Sequence, residues 1–86
     1  MVSKEMEIKN SQGLHARPAT LLVQKATRFK CDIKIEHKGK SANAKSLIGI
    51  LSLGISKGAN ITLSTKGSDE NAALKEIVEL IESFEG

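Results

Sequence analysis

The chain has 86 residues, 40% of which are hydrophobic, and a formal net charge of +3. That length makes one small domain with a modest core, and the mild positive charge fits an acidic protein partner at least as well as nucleic acid. A single cysteine excludes an intramolecular disulfide, and the absence of a charged leader or a membrane-spanning apolar run predicts a cytoplasmic protein without membrane insertion.

Strand and helix patterns alternate in the first half of the chain. Apolar residues at positions 2, 6 and 8 alternate with Glu5 and Glu7; Lys4 breaks the alternation, but the pattern still predicts an edge or half-solvated strand. Helical spacing then predicts a helix from Ala16 to about Phe29, with Pro18 in the first turn, where its missing N–H costs nothing. Residues 31–36 alternate again, and residues 37–40 predict the hairpin turn that follows this second strand.

The second half begins with a short strand at residues 41–43. Ser46 as N-cap and Gly54 after the last turn bracket a short helix, and residues 61–65 alternate as a last strand. Residues 67–69 predict a turn and a cap. Helical spacing predicts a closing amphipathic helix whose apolar positions are Ala73, Leu74, Ile77, Leu80, Ile81 and Phe84. This order of elements predicts one α+β domain over residues 1–86, with helices covering one face of a sheet.

The most informative run is Gly13-Leu14-His15-Ala16-Arg17-Pro18-Ala19, because it places an imidazole where an extended segment turns into a helix. A helix N-terminus has unpaired backbone N–H groups and a partial positive charge, so it attracts phosphate or another anion. His15 is therefore a candidate to carry a phosphoryl group, and Arg17 a candidate to bind it. Taken alone, a histidine before a helix is more often a polar residue without chemistry.

Together with Asn43-Ala44-Lys45-Ser46 and Ser52-Leu53-Gly54-Ile55, this run resembles HPr, the histidine-containing phosphocarrier protein of the phosphoenolpyruvate:sugar phosphotransferase system. The resemblance covers essentially the whole chain. It implies an open-faced β-sandwich, in which a four-stranded antiparallel sheet is covered on one face by three helices (βαββαβα).

The resemblance also implies a phosphocarrier rather than a free-standing enzyme. The phosphoryl group would come from a phosphohistidine on enzyme I, bind to Nδ1 of His15, and pass to a histidine on the A component of a sugar permease. Arg17 would stabilise the phosphate, with the backbone of Ala16 and Arg17 in the phosphate site. We expect a monomer that needs no cofactor, and no Cys/His cluster supports a metal site.

Ser46 is first of all an N-cap, which stabilises a helix by roughly 1 kcal/mol over alanine. The resemblance implies a second role, because in HPr-like proteins of low-GC Gram-positive type an ATP-dependent kinase/phosphorylase modifies this serine. Phosphate at a helix N-terminus is tolerated by the fold, so we expect it to act on partners and to slow phosphorylation of His15. This regulation would involve a catabolite-control transcription regulator.

The short helix after Ser46 carries more apolar residues than it can bury. The resemblance implies that part of this surplus joins the first helix in a partner-docking patch around His15. The residues of this patch are Thr20, Leu21, Gln24, Leu47, Ile48 and Leu51. The family often has methionine at positions 48 and 51, which is more adaptable than isoleucine or leucine, so affinities for individual partners are open.

Two other functions compete with the carrier. One is a purely regulatory binding module that acts through phosphorylated Ser46, since some HPr-like paralogues lack the active histidine; the presence of His15 favours the carrier. The other is a nucleic-acid binder, suggested by the basic pI of 9.2. Two phenylalanines as the only aromatic residues, and no RNA-binding glycine loop, count against it.

Five other residues receive simpler predictions. Gly13 leaves room for a partner's active site to approach closely. We expect His37 to be solvated in the hairpin and Cys31 to be a small buried hydrophobe. Arg28 and Lys45 are expected to be solvated charges that contribute to steering toward acidic partners.

Overall fold

Alternating side chains direct four segments into one sheet, and three helices separate them along the chain. The computed structural model describes residues 1–84, so residues 85 and 86 of the predicted domain lie outside the described part. None of the helices in residues 1–84 is long and apolar enough to cross a membrane. The elements are β1 (Val2–Glu7), α1 (Ala16–Ala26), β2 (Asp32–His37), β3 (Lys40–Asn43), α2 (Leu47–Ser52), β4 (Asn60–Lys66) and α3 (Glu70–Ser83).

The sheet has the strand order β1-β4-β2-β3, and every neighbouring pair is antiparallel. One row of partners crosses all four strands, from Lys4 through Leu63 and Ile35 to Ala42. Directly opposed residues lie on the same face, so this register assigns one face of each strand to the helices. The four-stranded antiparallel sheet with its three helices confirms the predicted α+β open-faced sandwich.

The core lies between the helices and the sheet face that carries Leu63 and Ile35. Both side chains are fully buried, as are Leu22 on α1, Ile50 on α2 and Ile77 on α3. Burial of an aliphatic side chain of this size stabilises the fold by roughly 1.5–3 kcal/mol. The alternate positions of β2 are charged and exposed, so the opposite face of the sheet is open to solvent.

Two helices end earlier than their apolar spacing predicts. Helix α1 ends at Ala26, and the N–H of Phe29 donates to the Ala26 carbonyl at 3.2 Å. This hydrogen bond reaches back three residues instead of four, so the chain turns tightly while Phe29 still packs against the core. Helix α3 ends at Ser83, and Phe84 after it has extended backbone.

The Asp69 side chain binds the backbone just before β2 and not the start of α3. It occupies the N-cap position of α3, but its side chain makes no hydrogen bond to that helix. Its carboxylate accepts from the backbone N–H of Lys30 at 2.9 Å and of Cys31 at 3.0 Å. Asp69 is thus the N-cap residue as predicted, but the prediction that its side chain caps α3 is wrong. The Lys30 N–H is the main reason that the pKa of the Asp69 carboxyl lies below its ordinary value.

We predict that Asp69→Asn reduces the sensitivity of the fold to acid. A carboxyl whose pKa is lowered by folding stabilises the protein above its unfolded pKa, and this stabilisation is lost as the pH falls through the folded pKa. From about pH 4 downward, the free energy of unfolding should fall more steeply for the wild type than for Asp69→Asn, as measured by urea unfolding. Asp32→Asn, at an exposed position, is the control. Parallel curves for wild type and Asp69→Asn would contradict the prediction.

Candidate functional site

The chain enters the candidate site through a turn that is bound to a second loop. Just after β1, the N–H of Ile8 donates to the carbonyl of Ala59 at 2.8 Å. At the end of the turn, the N–H of Leu14 donates to the carbonyl of Ile55 at 3.0 Å, and the Leu14 side chain is fully buried. His15 therefore follows directly on a residue that is fixed in the core.

Gly13 is buried in this turn and is not available to a partner. A Cβ at this position would lie 2.3 Å from the Ile55 carbonyl oxygen and 2.7 Å from Cα of Ser56, and the backbone φ is +61°. Both observations require glycine, because an L side chain would collide with the second loop and disfavours this φ. The prediction that Gly13 makes room for a partner is thus wrong, since its own chain fills that space.

His15 stands at the N-cap of α1 with extended backbone, at φ −115° and ψ 163°. A side chain at this position normally accepts a hydrogen bond from the first turn, but the His15 ring makes no such bond. The residue is half-buried. The structure therefore presents an imidazole at the start of the helix without using it to hold the helix.

Ala16, the first residue of α1, has a left-handed backbone with φ +51°. This conformation costs an L-residue roughly 1–2 kcal/mol and is rarely found outside glycine, asparagine and aspartate. Backbone strain of this kind persists only where the surroundings impose it, and it concentrates at functional sites. Here it falls on the residue next to His15.

The N-terminus of α1 suits an anion. The first turn of α1 contains no acidic residue, and the side chain of the N-cap residue His15 accepts no hydrogen bond from the N–H groups of this turn. The backbone of Ala16 and Arg17 therefore has donors to offer, whereas Pro18 has none. The Arg17 side chain is exposed and lines an open groove with Gln12 and Leu21. His15, Ala16 and Arg17 are thus consecutive residues at the positive end of α1.

Ser46 caps α2 as predicted. Its Oγ accepts a hydrogen bond from the N–H of Gly49 at 3.0 Å, and Ser46 is half-buried. A Cβ added to Gly49 would lie only 3.2 Å from this oxygen and 3.3 Å from Cβ of Ala42, so glycine avoids a tight contact beside the hydroxyl. The two candidate sites differ in this respect, because Ser46 uses its side chain as a cap and His15 does not.

The predicted docking residues, here named the α1–α2 patch, lie on two helices that pack together. On α2, Leu47 is 39% exposed, Ile48 is 81% exposed and Leu51 is 40% exposed, whereas Ile50 is fully buried. The rest of the α1–α2 patch, on α1, consists of the exposed Thr20 and Gln24 and the half-buried Leu21. Apart from Met1, these three apolar residues of α2 are the exposed large hydrophobics among residues 1–84.

Comparison with known proteins assigns the chain to a family. The family model described as the PTS HPr component phosphorylation site matches residues 2–83. This chain belongs to the HPr family. Proteins of this family are phosphocarriers and not catalysts.

The alignments with similar proteins cover nearly the full length of this chain and of each relative. The HPr-like protein Crh of Halalkalibacterium halodurans is 50% identical over 82 residues, which are 95% of this chain and 98% of that protein. The crystal structure of HPr-C-His from Thermoanaerobacter tengcongensis has a TM-score of 0.95 and 52% identity, covering 96% of this chain and 93% of that one. A crystal structure of an HPr dimer from the same organism has a TM-score of 0.78 and 54% identity, covering 91% and 90%.

In this HPr-family chain, His37 is buried, so the prediction of a solvated residue is wrong. It is only 8% exposed, and its Nδ1 lies 3.1 Å from the carbonyl oxygen of Asn60. A carbonyl only accepts hydrogen bonds, so Nδ1 carries the proton. The alternation that buries Ile33 and Ile35 continues to His37, and this was the signal in the sequence for its burial.

Three other predictions for single residues have mixed outcomes. Cys31 is buried as predicted, and burial is the main cause that raises the pKa of its thiol. Arg28 is exposed. Lys45 is half-buried and its Nζ donates to the carbonyl of Phe29 at 2.8 Å, so it is not a freely solvated charge.

Within residues 1–84, no group of three or more His, Cys, Asp or Glu side chains is placed to hold a metal ion.

Asn10 belongs to the site although the sequence pattern did not single it out. Its side-chain Nδ2 donates to the carbonyl of Gly13 at 2.8 Å, and its backbone carbonyl accepts a hydrogen bond from the Gly13 N–H at 3.1 Å. The available signal was the Asn-x-x-Gly spacing, which is typical of a turn. Sequence reasoning gave no indication that this side chain is buried.

We predict that Gly13→Ala destabilises the protein far more than Gly54→Ala. The two glycines have nearly the same backbone, with φ +61° and φ +62°, but an added Cβ at Gly54 meets nothing within 4 Å. The left-handed backbone costs both variants roughly 1–2 kcal/mol, and the collision with Ile55 and Ser56 should cost Gly13→Ala about 1–3 kcal/mol more in urea unfolding. Equal losses would show that the second loop moves aside freely.

Proposed function

We propose that this chain is a general phosphocarrier of the sugar phosphotransferase system that is transiently phosphorylated on His15. The observation that carries the proposal is the His15 ring at the uncapped N-terminus of α1, in a chain that belongs to the HPr family. A ring that capped its own helix would have to give up that hydrogen bond before it could react. The half-buried His15 ring has no such bond to break.

The transfer is a displacement at phosphorus. The Nδ1 lone pair of His15 attacks the phosphoryl group held on a histidine of enzyme I, so that a new N–P bond forms as the donor's N–P bond breaks. The donor nitrogen keeps the electron pair of the broken bond. In the second half of the cycle, a histidine on the A component of a sugar permease takes the same group from His15 by the same exchange.

The surroundings of His15 favour the phosphorylated state. The phosphoryl group carries between one and two negative charges, and the N-terminus of α1 supplies the opposite partial charge. The N–H groups of Ala16 and Arg17 are the nearest backbone donors. The Arg17 guanidinium can donate two hydrogen bonds to two phosphate oxygens, which a lysine cannot match. Catalysis in this exchange consists largely of positioning and charge stabilisation.

Ser46 is proposed as a regulatory phosphorylation site for an HPr kinase/phosphorylase in carbon catabolite control. The partial positive charge at the N-terminus of α2 favours a phosphate at this position. Leu47 and Ile48, which follow Ser46 directly, are exposed in the α1–α2 patch. A dianion beside this apolar surface resists burial and repels an acidic partner, so docking of enzyme I weakens.

The alternative is a purely regulatory module that acts through phosphorylated Ser46 and a catabolite-control transcription regulator. The specific observation in its favour is the 50% identity to a protein named HPr-like protein Crh. Against it stands His15 with its neighbours Ala16 and Arg17, because a module that acts only through Ser46 needs no free imidazole at α1. One protein can also serve both functions.

We further propose that the carrier works as a cytoplasmic monomer. All six residues of β1 pair with β4 of the same chain, so a single copy is able to form the four-stranded sheet. The relative described as an HPr dimer shows why this is worth measuring. Light scattering on the purified protein gives the mass that decides between the two states.

We predict that phosphoenolpyruvate and enzyme I add one acid-labile phosphoryl group to the wild type and none to His15→Ala, as read by intact mass. Arg17→Lys should slow the transfer by about 10- to 100-fold, because a charge-assisted hydrogen bond to the phosphate is lost. Arg28→Lys, at an exposed position just beyond the C-terminal end of α1, is the matched control. An unlabelled wild type, beside a known HPr that is labelled normally, would overturn the carrier and favour the regulatory module.

We predict that Ser46→Asp lowers the rate of His15 phosphorylation while leaving the fold intact. The added carboxylate lies beside the α1–α2 patch and at a helix N-terminus, where a negative charge is tolerated. Ser41→Asp places the same charge on the exposed β3 and should keep the wild-type rate. Identical rates for wild type and Ser46→Asp would refute this regulatory role.

A further inference from the structure

Asn10 is the residue through which the structure fixes the approach to His15. It lies in the turn between β1 and α1 and is only 4% exposed. Its backbone carbonyl accepts a hydrogen bond from the Gly13 N–H at 3.1 Å, and its side-chain Nδ2 donates to the Gly13 carbonyl at 2.8 Å. Both polar backbone atoms of Gly13 are therefore bound by this one residue.

The peptide group between Gly13 and Leu14 is held from both sides. Its carbonyl oxygen accepts from Asn10 Nδ2, and its N–H donates to the carbonyl of Ile55 at 3.0 Å. These two bonds fix the plane of the peptide that directly precedes the one leading into His15. The orientation of this stretch of backbone is thus set before the imidazole is reached.

The His15 ring depends on its backbone for its position, because it forms no capping hydrogen bond to α1. Leu14 anchors the chain on one side of His15, and the left-handed Ala16 begins the helix on the other. A rotation of the Gly13–Leu14 peptide would turn the direction in which His15 leaves the turn. Among the polar side chains of residues 1–84, Asn10 is the one that opposes this rotation through a direct hydrogen bond.

The Asn10 side chain has a second polar atom, Oδ1, besides the Nδ2 that holds the peptide. Its Oδ1 is buried and has no hydrogen-bond partner within residues 1–84. Rotating the amide would not help, since Oδ1 would then face the Gly13 carbonyl, which is also an acceptor. A buried acceptor without a partner destabilises the fold and so offsets part of what the Nδ2 hydrogen bond to Gly13 contributes.

We propose that Asn10 is a positioning residue for His15, and this rests on the proposed phosphocarrier function. By holding the Gly13–Leu14 peptide through Nδ2, it keeps the imidazole in the orientation needed for attack on phosphorus. Asn10 touches neither the phosphoryl group nor the partner. Its loss therefore acts on the rate of the transfer step and leaves docking at the α1–α2 patch unchanged.

The test compares Asn10→Asp and Asn10→Ala with Ser11→Ala, an exposed neighbour, as the control. Near pH 8 the carboxylate of Asn10→Asp faces the Gly13 carbonyl without a proton to donate, and kcat for transfer from phosphorylated enzyme I should fall about tenfold with KM unchanged. As the pH is lowered, the carboxylic acid can donate to Gly13, so the rate relative to wild type should recover. Asn10→Ala should lose a similar factor without this recovery.

Nuclear magnetic resonance of the unphosphorylated proteins provides a second readout that does not need the transfer reaction. The His15 ring signals and the protection of the Leu14 N–H from exchange should change in Asn10→Ala and stay as in wild type in Ser11→Ala. Wild-type kcat in both Asn10 variants, with unchanged His15 and Leu14 signals, would overturn the proposal. If the wild type itself accepts no phosphate, the carrier function fails, while the resonance data still decide whether Asn10 positions His15.

Discussion

The contact between the turn before α1 and the loop before β4 determines the geometry of the site. The Leu14 N–H and the Ile55 carbonyl meet at 3.0 Å, and Gly13 approaches Ile55 and Ser56 so closely that no Cβ fits. Leu14 and Ile55 are both fully buried, so this contact belongs to the core as much as to the surface. His15 is the next residue, and its position follows from this contact.

Local patterns predict most of the fold, because they reflect forces that act over a few residues. The alternation in residues 31–36 and 61–65 reflects a sheet with one buried face, and Ser46 with Gly54 marks the limits of α2. Asp69 and Gly13 were misassigned because their partners lie far along the chain. Asp69 binds Lys30 and Cys31, and Gly13 packs on Ile55, and neither pairing leaves a mark in nearby residues.

His37 shows a different kind of failure, in which one local signal outweighed another. Lys38 and Gly39 indicate a hairpin turn correctly, and this led to the expectation that His37 is solvated. The alternation along β2 favours burial of the same residue, and the structure follows the alternation. The positions of His15 before α1 and of Ser46 as the N-cap of α2 were predictable, because a helix start with a characteristic motif is local. Asn10 was not, since its burial depends on how the turn packs.

The two helix N-termini show how similar elements can be used differently. At α2 the Ser46 hydroxyl caps the helix, so the end is stable and any phosphate added there joins a satisfied backbone. At α1 the side-chain cap is missing and Ala16 is left-handed, and within the described residues 1–84 the buried Asn10 Oδ1 has no hydrogen-bond partner. Each of these features destabilises the fold, and all three lie within six residues of His15, at positions 10, 15 and 16. Similar conflicts occur singly elsewhere, at the left-handed Lys38 and at the uncapped start of α3, whereas three of them lie together around His15. Such a concentration is typical of functional sites.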